Sequence, residues 1–311
     1  FYPGNNVKKL LFFWVSYVRI LIALFFYRPQ IIHMHMSYKG SFYRKFLIHK
    51  LCRRFGVKDI IHLHGSEFEK WYAEASQNLQ NKIKELLREC NMVFVLGEKW
   101  KNVVEKIEPE ANVTVINNAV RIPQETVRWN EDVCQLLYMG VLIPRKGLDI
   151  LLDSLSMLKD SGRIAKIHLA IVGTGPEENR LKASCREKEL GDAVSFYGWK
   201  TGDEKAEIIK KSQVAVMPSY NEGLPIAVLE ALSYGMPVIA TGVGDVEAAV
   251  KDSVNGYIIK PGDAKTLADK IELISREDTF NEMSMRSRQL AENIFSEEIY
   301  VQKLVKYYSE L

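Results

Sequence analysis

Residues 219–230 carry two carboxylates, Glu222 and Glu230, around the turn Gly223-Leu224-Pro225. An apolar run at residues 214–217 precedes them, and residues 231–240, with Gly235 and Pro237, close the segment. The order spelled out is strand, loop, short helix, strand. Pro225 stands where a first helical turn tolerates proline, Gly235 where a helix ends, and Pro237 where continuation is blocked. The amides of Gly223 and Leu224 then lie at a helix N-terminus, whose free N–H groups and positive dipole end favour a phosphate. Glu222 on the loop and Glu230 one turn into the helix flank that point. A plainer reading stands beside this one: Glu230, Ser233 and Tyr234 fall at i, i+3, i+4, the spacing of a solvated helix stripe.

A second segment suits the same chemistry. Residues 140–147 run from Gly140 to Gly147 and contain Arg145 and Lys146, directly after an apolar run that reads as a strand. Loops after parallel strands are where open α/β sheets bind ligands. There the planar fork of arginine and the point charge of lysine suit a diphosphate. Elsewhere an Arg-Lys pair is ordinary solvated charge. Gly173-Thr174-Gly175-Pro176-Glu177 forms a further strand-to-helix loop, weak evidence alone because tight turns use glycine everywhere. The chain has no Asp-x-Asp pair to hold a cation on a diphosphate.

Five of the six histidines fall in the first 64 residues: His33, His35, His49, His62 and His64. His33/His35 and His62/His64 alternate along strands, and no Cys, Asp or Glu joins them at metal-ligand spacing. His33 and His62 therefore read as satisfied core histidines. His35 and His64 end their strands and are expected to face an interdomain cleft.

Apolar runs of strand length stand near 31–35, 58–63, 92–96 and 113–116, then near 134–139, 166–172, 193–197, 214–217, 237–241 and 256–259. Helical stretches separate nearly all of them, which predicts two parallel-sheet α/β domains. Residues 121–132 are polar and without period, so they read as the linker, and 295–311 as a terminal helix. At 311 residues the chain is too long for one typical core. The four scattered cysteines read as reduced, buried thiols of a cytoplasmic protein, not a disulfide frame or a zinc site.

The net charge of +3 conceals an asymmetry. Residues 1–60 carry eleven Lys/Arg against one acid, Asp59, a net of +10; the other 251 residues carry 31 Lys/Arg against 38 acids, a net of −7. The cationic end is rich in aromatics, among them Phe12, Phe13, Trp14, Phe25, Phe26 and Tyr27. Residues 10–27 are nearly long enough to span a bilayer, but Arg19 at the centre would cost about 2.5–3.5 kcal/mol. The run reads as a helix packed on a sheet and touching a membrane surface. Nucleic-acid binding is disfavoured, since no recognised binding module is present.

The Glu222/Glu230 pair with Gly-Leu-Pro between, the Arg145-Lys146 loop, the Gly173 loop and residues 116–120 together resemble the retaining family-4 glycosyltransferases of GT-B fold. The resemblance runs from about Gln30 to the C-terminus. It implies an α/β architecture of two Rossmann-like domains facing a cleft. Residues 1–121 would form the acceptor-side domain, joined by helix 295–311, and 122–294 the nucleotide-sugar domain. The implied reaction moves a hexose from a UDP- or GDP-linked donor to an acceptor glycan, lipid-linked in this reading, with retention and without metal or cofactor. Arg145, Lys146 and the Gly223 and Leu224 amides would stabilise the departing diphosphate. Glu222 would face the sugar hydroxyls, Glu230 the ribose, and His64 the donor sugar. Gly140, Gly173, Gly198 and Pro225 would complete the donor side, with the backbone at Phe196-Tyr197-Gly198-Trp199 meeting the base.

Members of that family begin with a strand and a glycine-rich loop, whereas this chain opens at Phe1-Tyr2-Pro3-Gly4. The first domain is therefore expected to lack its first strand. Two alternatives follow: a non-catalytic protein that binds a nucleotide sugar or pairs with a partner enzyme, and a GT-B nucleotide-sugar epimerase. The expected location is cytoplasmic, peripheral on the inner face of the cell membrane.

Overall fold

The structure, a computed structural model, describes residues 6–65 and 67–311, with side chains described from residue 11 onward. The opening at Phe1-Tyr2-Pro3-Gly4, on which the expectation of a missing strand rests, lies outside the described residues.

Among the described residues, ten strands form on the apolar runs. They are β1 (Ile31–Met36), β2 (Lys58–Leu63), β3 (Met92–Val95), β4 (Val113–Val115), β5 (Cys134–Met139), β6 (Ile167–Val172), β7 (Val194–Gly198), β8 (Val214–Met217), β9 (Val238–Thr241) and β10 (Gly256–Ile259). All pairings between them are parallel. Such strands are covered on both faces and so read as continuous apolar runs. Every residue of β3, β8 and β9 is buried.

The chain divides into two compact units. Unit 1 runs to Ile116 and includes Lys303–Leu311; unit 2 is Asn117–Gln302. The division falls before Arg121 because residues 117–120 are tied into unit 2. The Asn118 side-chain amide donates to the Leu224 carbonyl at 2.8 Å, and Val120 N donates to Phe295 O at 2.8 Å. Residues 121–132 form neither helix nor strand, as their composition predicts.

In unit 1 the strand order is β1-β2-β3-β4. Its core gathers Met34, Met36, Ile61, Leu63, Val93 and Val95 from the strands with Phe42, Ile83, Leu86 and Val104 from the helices. Helix Asn6–Phe26 packs on this core through Tyr17 and Ile20, with Leu24 buried one turn on. Its other side leaves Leu11, Phe12, Trp14, Val18, Phe25 and Phe26 exposed. Among the described residues, no helix is long and apolar enough to cross a membrane.

In unit 2 the order is β10-β9-β8-β5-β6-β7. From β5 the chain builds outward through β6 and β7, then returns to lay β8 on the other flank of β5. The order therefore reverses between β5 and β8, a topological switch point, where open α/β sheets form a ligand crevice outside the strand carboxyl ends. The core beneath is aliphatic, with Leu136, Leu169, Ile171, Val214, Val216 and Ile239 meeting Leu151, Leu155, Leu267 and Ile271 of the covering helices.

Candidate functional site

The two segments singled out by their chemistry follow the two strands at the switch point. Residues 140–147 leave β5, and residues 218–225 leave β8. One backbone and one side-chain hydrogen bond join them: Tyr220 N donates to Arg145 O at 2.8 Å, and Arg145 Nη1 donates to Asn221 O at 2.8 Å. Lys146 Nζ lies 2.5 Å from Glu222 Oε1, with the side chains only 14% and 7% exposed. Two opposite charges shielded this well depend on each other, because removing one leaves the other uncompensated. Tyr138 lies below; burial first, and then the Glu222 charge, push its hydroxyl up and keep it protonated. It donates to Val141 O at 3.2 Å.

Glycine makes the close approach feasible. Gly147 has φ +68°, and a Cβ there would collide with the Pro218 carbonyl oxygen at the end of β8. A Cβ on Gly173, at φ +153°, would strike the Gly140 carbonyl. Gly140 N donates to Val172 O at 3.0 Å, and Gly173 N to Gly198 O at 2.8 Å. Gly140, Gly173 and Gly198 thus line up across the carboxyl ends of β5, β6 and β7.

Helix Ile226–Ser233 starts directly after Pro225, which is its N-cap residue. It ends as the sequence predicts: Gly235 takes φ +74°, Gly235 N donates to Leu232 O and Met236 N to Ala231 O, both at 2.9 Å. This is the Schellman pattern that glycine permits. Leu224 is buried. Gly223 and Leu224 accept through their carbonyls from Asp245 N at 2.9 Å and from Asn118 Nδ2 at 2.8 Å. Among the described residues, no hydrogen bond from their N–H groups is found.

Glu230 does not share a partner with Glu222. It forms its own ion pair with Lys205 Nζ at 2.6 Å, the side chains 22% and 31% exposed. Lys205 sits on helix Gly202–Lys210. Glu230 and Lys205 line a cavity of about 800 Å³ with Arg121, Lys210, Ile226 and Tyr234. Sequence reading missed Lys205, because only the packing of two helices gives it a carboxylate.

In unit 1, His64 is one of four stacked imidazoles. The β1–β2 register sets His35 opposite His62. Ring centroids lie 4.8 Å apart for His33–His35, 4.9 Å for His35–His64 and 4.2 Å for His62–His64. His35 Nδ1 and His64 Nε2 are 2.7 Å apart, and His33 Nδ1 meets the Tyr308 hydroxyl at 2.6 Å. Burial, and then the neighbouring imidazoles, lower His33 and His64 to about 4 and His62 further. The reading of His62 as a satisfied core histidine is corrected: it is buried, but its Nε2 has no partner among the described residues. His49 stands in a buried pair of its own, 2.8 Å from Asp59 Oδ2.

Comparison with known proteins bears on the fold and the family. WcaL of Escherichia coli strain K12, named as a candidate colanic acid biosynthesis glycosyltransferase, is 24% identical over 234 residues, 71% of this chain. The chain spans 57% of WcaL's length. By structure, sucrose-phosphate synthase from Thermosynechococcus elongatus superposes with a TM-score of 0.83 at 20% identity, covering 100% of this chain and 80% of that one. HepE of Anabaena, solved with UDP, gives 0.80 at 17%, covering 96% of this chain and 82% of that one. These two likenesses establish the fold: a GT-B type protein with two parallel-sheet domains. The model for glycosyl transferases group 1 matches residues 121–293, which contain every switch-point residue described above, and the chain belongs to that family.

Proposed function

We propose that this chain transfers a hexose from a nucleotide diphosphate donor, UDP- or GDP-linked, to an acceptor glycan of a surface polysaccharide, with retention at the anomeric carbon. The observation that carries the reading is the shielded Lys146–Glu222 pair at the switch point of unit 2. Lys146 offers three donor hydrogens, of which Glu222 uses one. The ammonium can therefore take a phosphate oxygen and remain held, while Arg145 adds a planar fork. The unused amides of Gly223 and Leu224 supply further donors where charge develops on the leaving group. Glu222 then orients sugar hydroxyls, and Glu230 takes the ribose from its pair with Lys205. The bond from the anomeric carbon to the phosphate oxygen breaks, and the acceptor oxygen attaches on the same face. Its proton goes to the leaving phosphate. No metal is needed if these cations and amides neutralise the diphosphate.

The named role of WcaL in colanic acid biosynthesis and the UDP in HepE are consistent with a polysaccharide product and a nucleotide donor. A lipid-linked acceptor at the cytoplasmic membrane face fits the cationic residues 1–60 and the exposed Phe12, Trp14, Phe25 and Phe26. Each Lys or Arg near anionic lipid contributes about 1 kcal/mol. Sedimentation with anionic vesicles should therefore be strong at low salt and fade as salt rises; absence of binding at low salt would end this part.

The direct test is thermal unfolding with UDP, GDP and their sugars. A ligand at a hundred times its Kd should stabilise by about 2.7 kcal/mol. Lys146→Ala and Glu230→Ala, each against its own baseline, should lose that shift. Retention of the shift in both would place the nucleotide elsewhere. Product analysis then separates transfer from an epimerised nucleotide sugar, or from binding without turnover.

A further inference from the structure

Three histidines of unit 1, His33, His35 and His62, have no part in the proposed transfer. His33, His35 and His62 each offer a ring nitrogen, and the three atoms lie within 4.8 Å of one another. We propose that these three residues bind one borderline divalent metal ion of the zinc, nickel or cobalt class.

The ligand chemistry fits. Imidazole suits these ions, and desolvation lowers all three rings from the ordinary histidine value, which favours the neutral form that ligates a metal. A tetrahedral ion with bonds of about 2.0–2.1 Å sets its ligand nitrogens about 3.3 Å apart. His33 Nε2 and His62 Nδ1 already stand 3.2 Å apart. His35 must close in by turning about χ2, a broad and soft torsion for histidine.

The surroundings have the form of a supporting shell. Metal-bound histidines generally use the other ring nitrogen to hold an outer partner, which fixes tautomer and orientation. His33 Nδ1 is held by the Tyr308 hydroxyl at 2.6 Å, and His35 Nδ1 by His64 Nε2 at 2.7 Å. That leaves Nε2 of both rings for an ion. His62 is 1% exposed, so the Nδ1 that faces His33 Nε2 is shielded from competing water. The site grades from buried His62 to exposed His35, so an ion has an entry path. Three protein ligands leave a fourth position for water or another ligand. One feature opposes a cation: Lys45 places positive charge near His35.

The test uses tag-free full chain stripped with chelator and titrated with Zn²⁺, Ni²⁺ or Co²⁺. Native mass spectrometry should show one ion per chain, and Co²⁺ should develop the visible bands of a low-coordinate nitrogen site. Exchanging His33 or His62 for Phe, which preserves ring volume, should abolish uptake. Tyr308→Phe, which leaves every ligand in place, should weaken it by about 10–100-fold. Lys45→Met should tighten it, and His168→Asn, in unit 2, should leave it unchanged. Absence of 1:1 uptake by the unaltered chain overturns the proposal whatever the variants do. So does uptake that survives both Phe exchanges.

Discussion

In unit 2 a lysine and a glutamate from loops after β5 and β8 meet as opposite charges, 2.5 Å apart and mostly hidden from water. In unit 1 four histidines from β1, β2 and the residue after it meet as neutral rings, stacked and joined by single hydrogen bonds. The first arrangement is self-compensating, since each charge supplies what the other needs. The second leaves a buried nitrogen unanswered. A self-compensating pair holds its loops whether or not a ligand is present. The ion proposed above would draw on the other nitrogen of the His62 ring, with His33 and His35.

The contrast can be broken most forcefully at Lys146. Exchanging it for Met leaves the buried Glu222 carboxylate alone, which should cost about 3–5 kcal/mol in urea unfolding. Adding Glu222→Gln should restore more than half of that loss, because the stranded charge is then gone. A single-variant loss below about 1 kcal/mol, the range of exposed pairs, would mean that water solvates the pair and that its shielding was misjudged.

Next in size is Gly147→Ala. The new Cβ meets the Pro218 carbonyl from a left-handed backbone. Strain of this kind costs about 1–3 kcal/mol, and relieving it would push the β5 and β8 loops apart. Thermal unfolding should report the stability loss, and nucleotide binding should fall with it. Binding that persists at full strength would show that the loop spacing is not what the ligand reads.

Glu230→Gln separates holding from binding. Its pair with Lys205 is more open than Lys146–Glu222, with 22% and 31% exposure, so the stability change should stay within about 1 kcal/mol. The nucleotide-induced shift should nevertheless disappear. A variant that keeps the shift would free Glu230 from any part in the ribose subsite.

How much of this could be read from the chain differs between the two units. The ten strands lie on the ten apolar runs, within a residue or two at each end, because two-sided burial writes itself as unbroken Val, Ile and Leu. The stop at Gly235 is equally legible, since only a left-handed residue closes the helix that way. The Arg145-Lys146 loop and the Glu222 loop are local motifs after strands, so spacing alone marks them. That they are neighbours is a property of strand order, and order is not written in any one segment. Lys205 gains Glu230 only through helix packing. The histidines fail for a similar reason: His33/His35 and His62/His64 show mere alternation, and the β1–β2 register decides that the pairs converge. A one-residue slip would send one pair to the opposite face.

The smallest effect has the opposite sign from the largest and is the sharpest test of the contrast. His62→Phe removes the partnerless Nε2 and keeps a ring of similar size among His33, His64 and Phe94. The lost bond to His33 is a weak one at 3.2 Å, and His33 keeps Tyr308. Replacing a buried unsatisfied polar atom by an apolar one recovers about 1 kcal/mol at most. In metal-free buffer the variant should therefore melt at or slightly above the temperature of the unaltered chain. Added Zn²⁺ should reverse the ranking, raising the melting point of the unaltered chain while leaving the variant where it was. A clear drop in stability on His62→Phe without metal would show that the four rings support the fold as the Lys146–Glu222 pair does, and the distinction between the two clusters would fail.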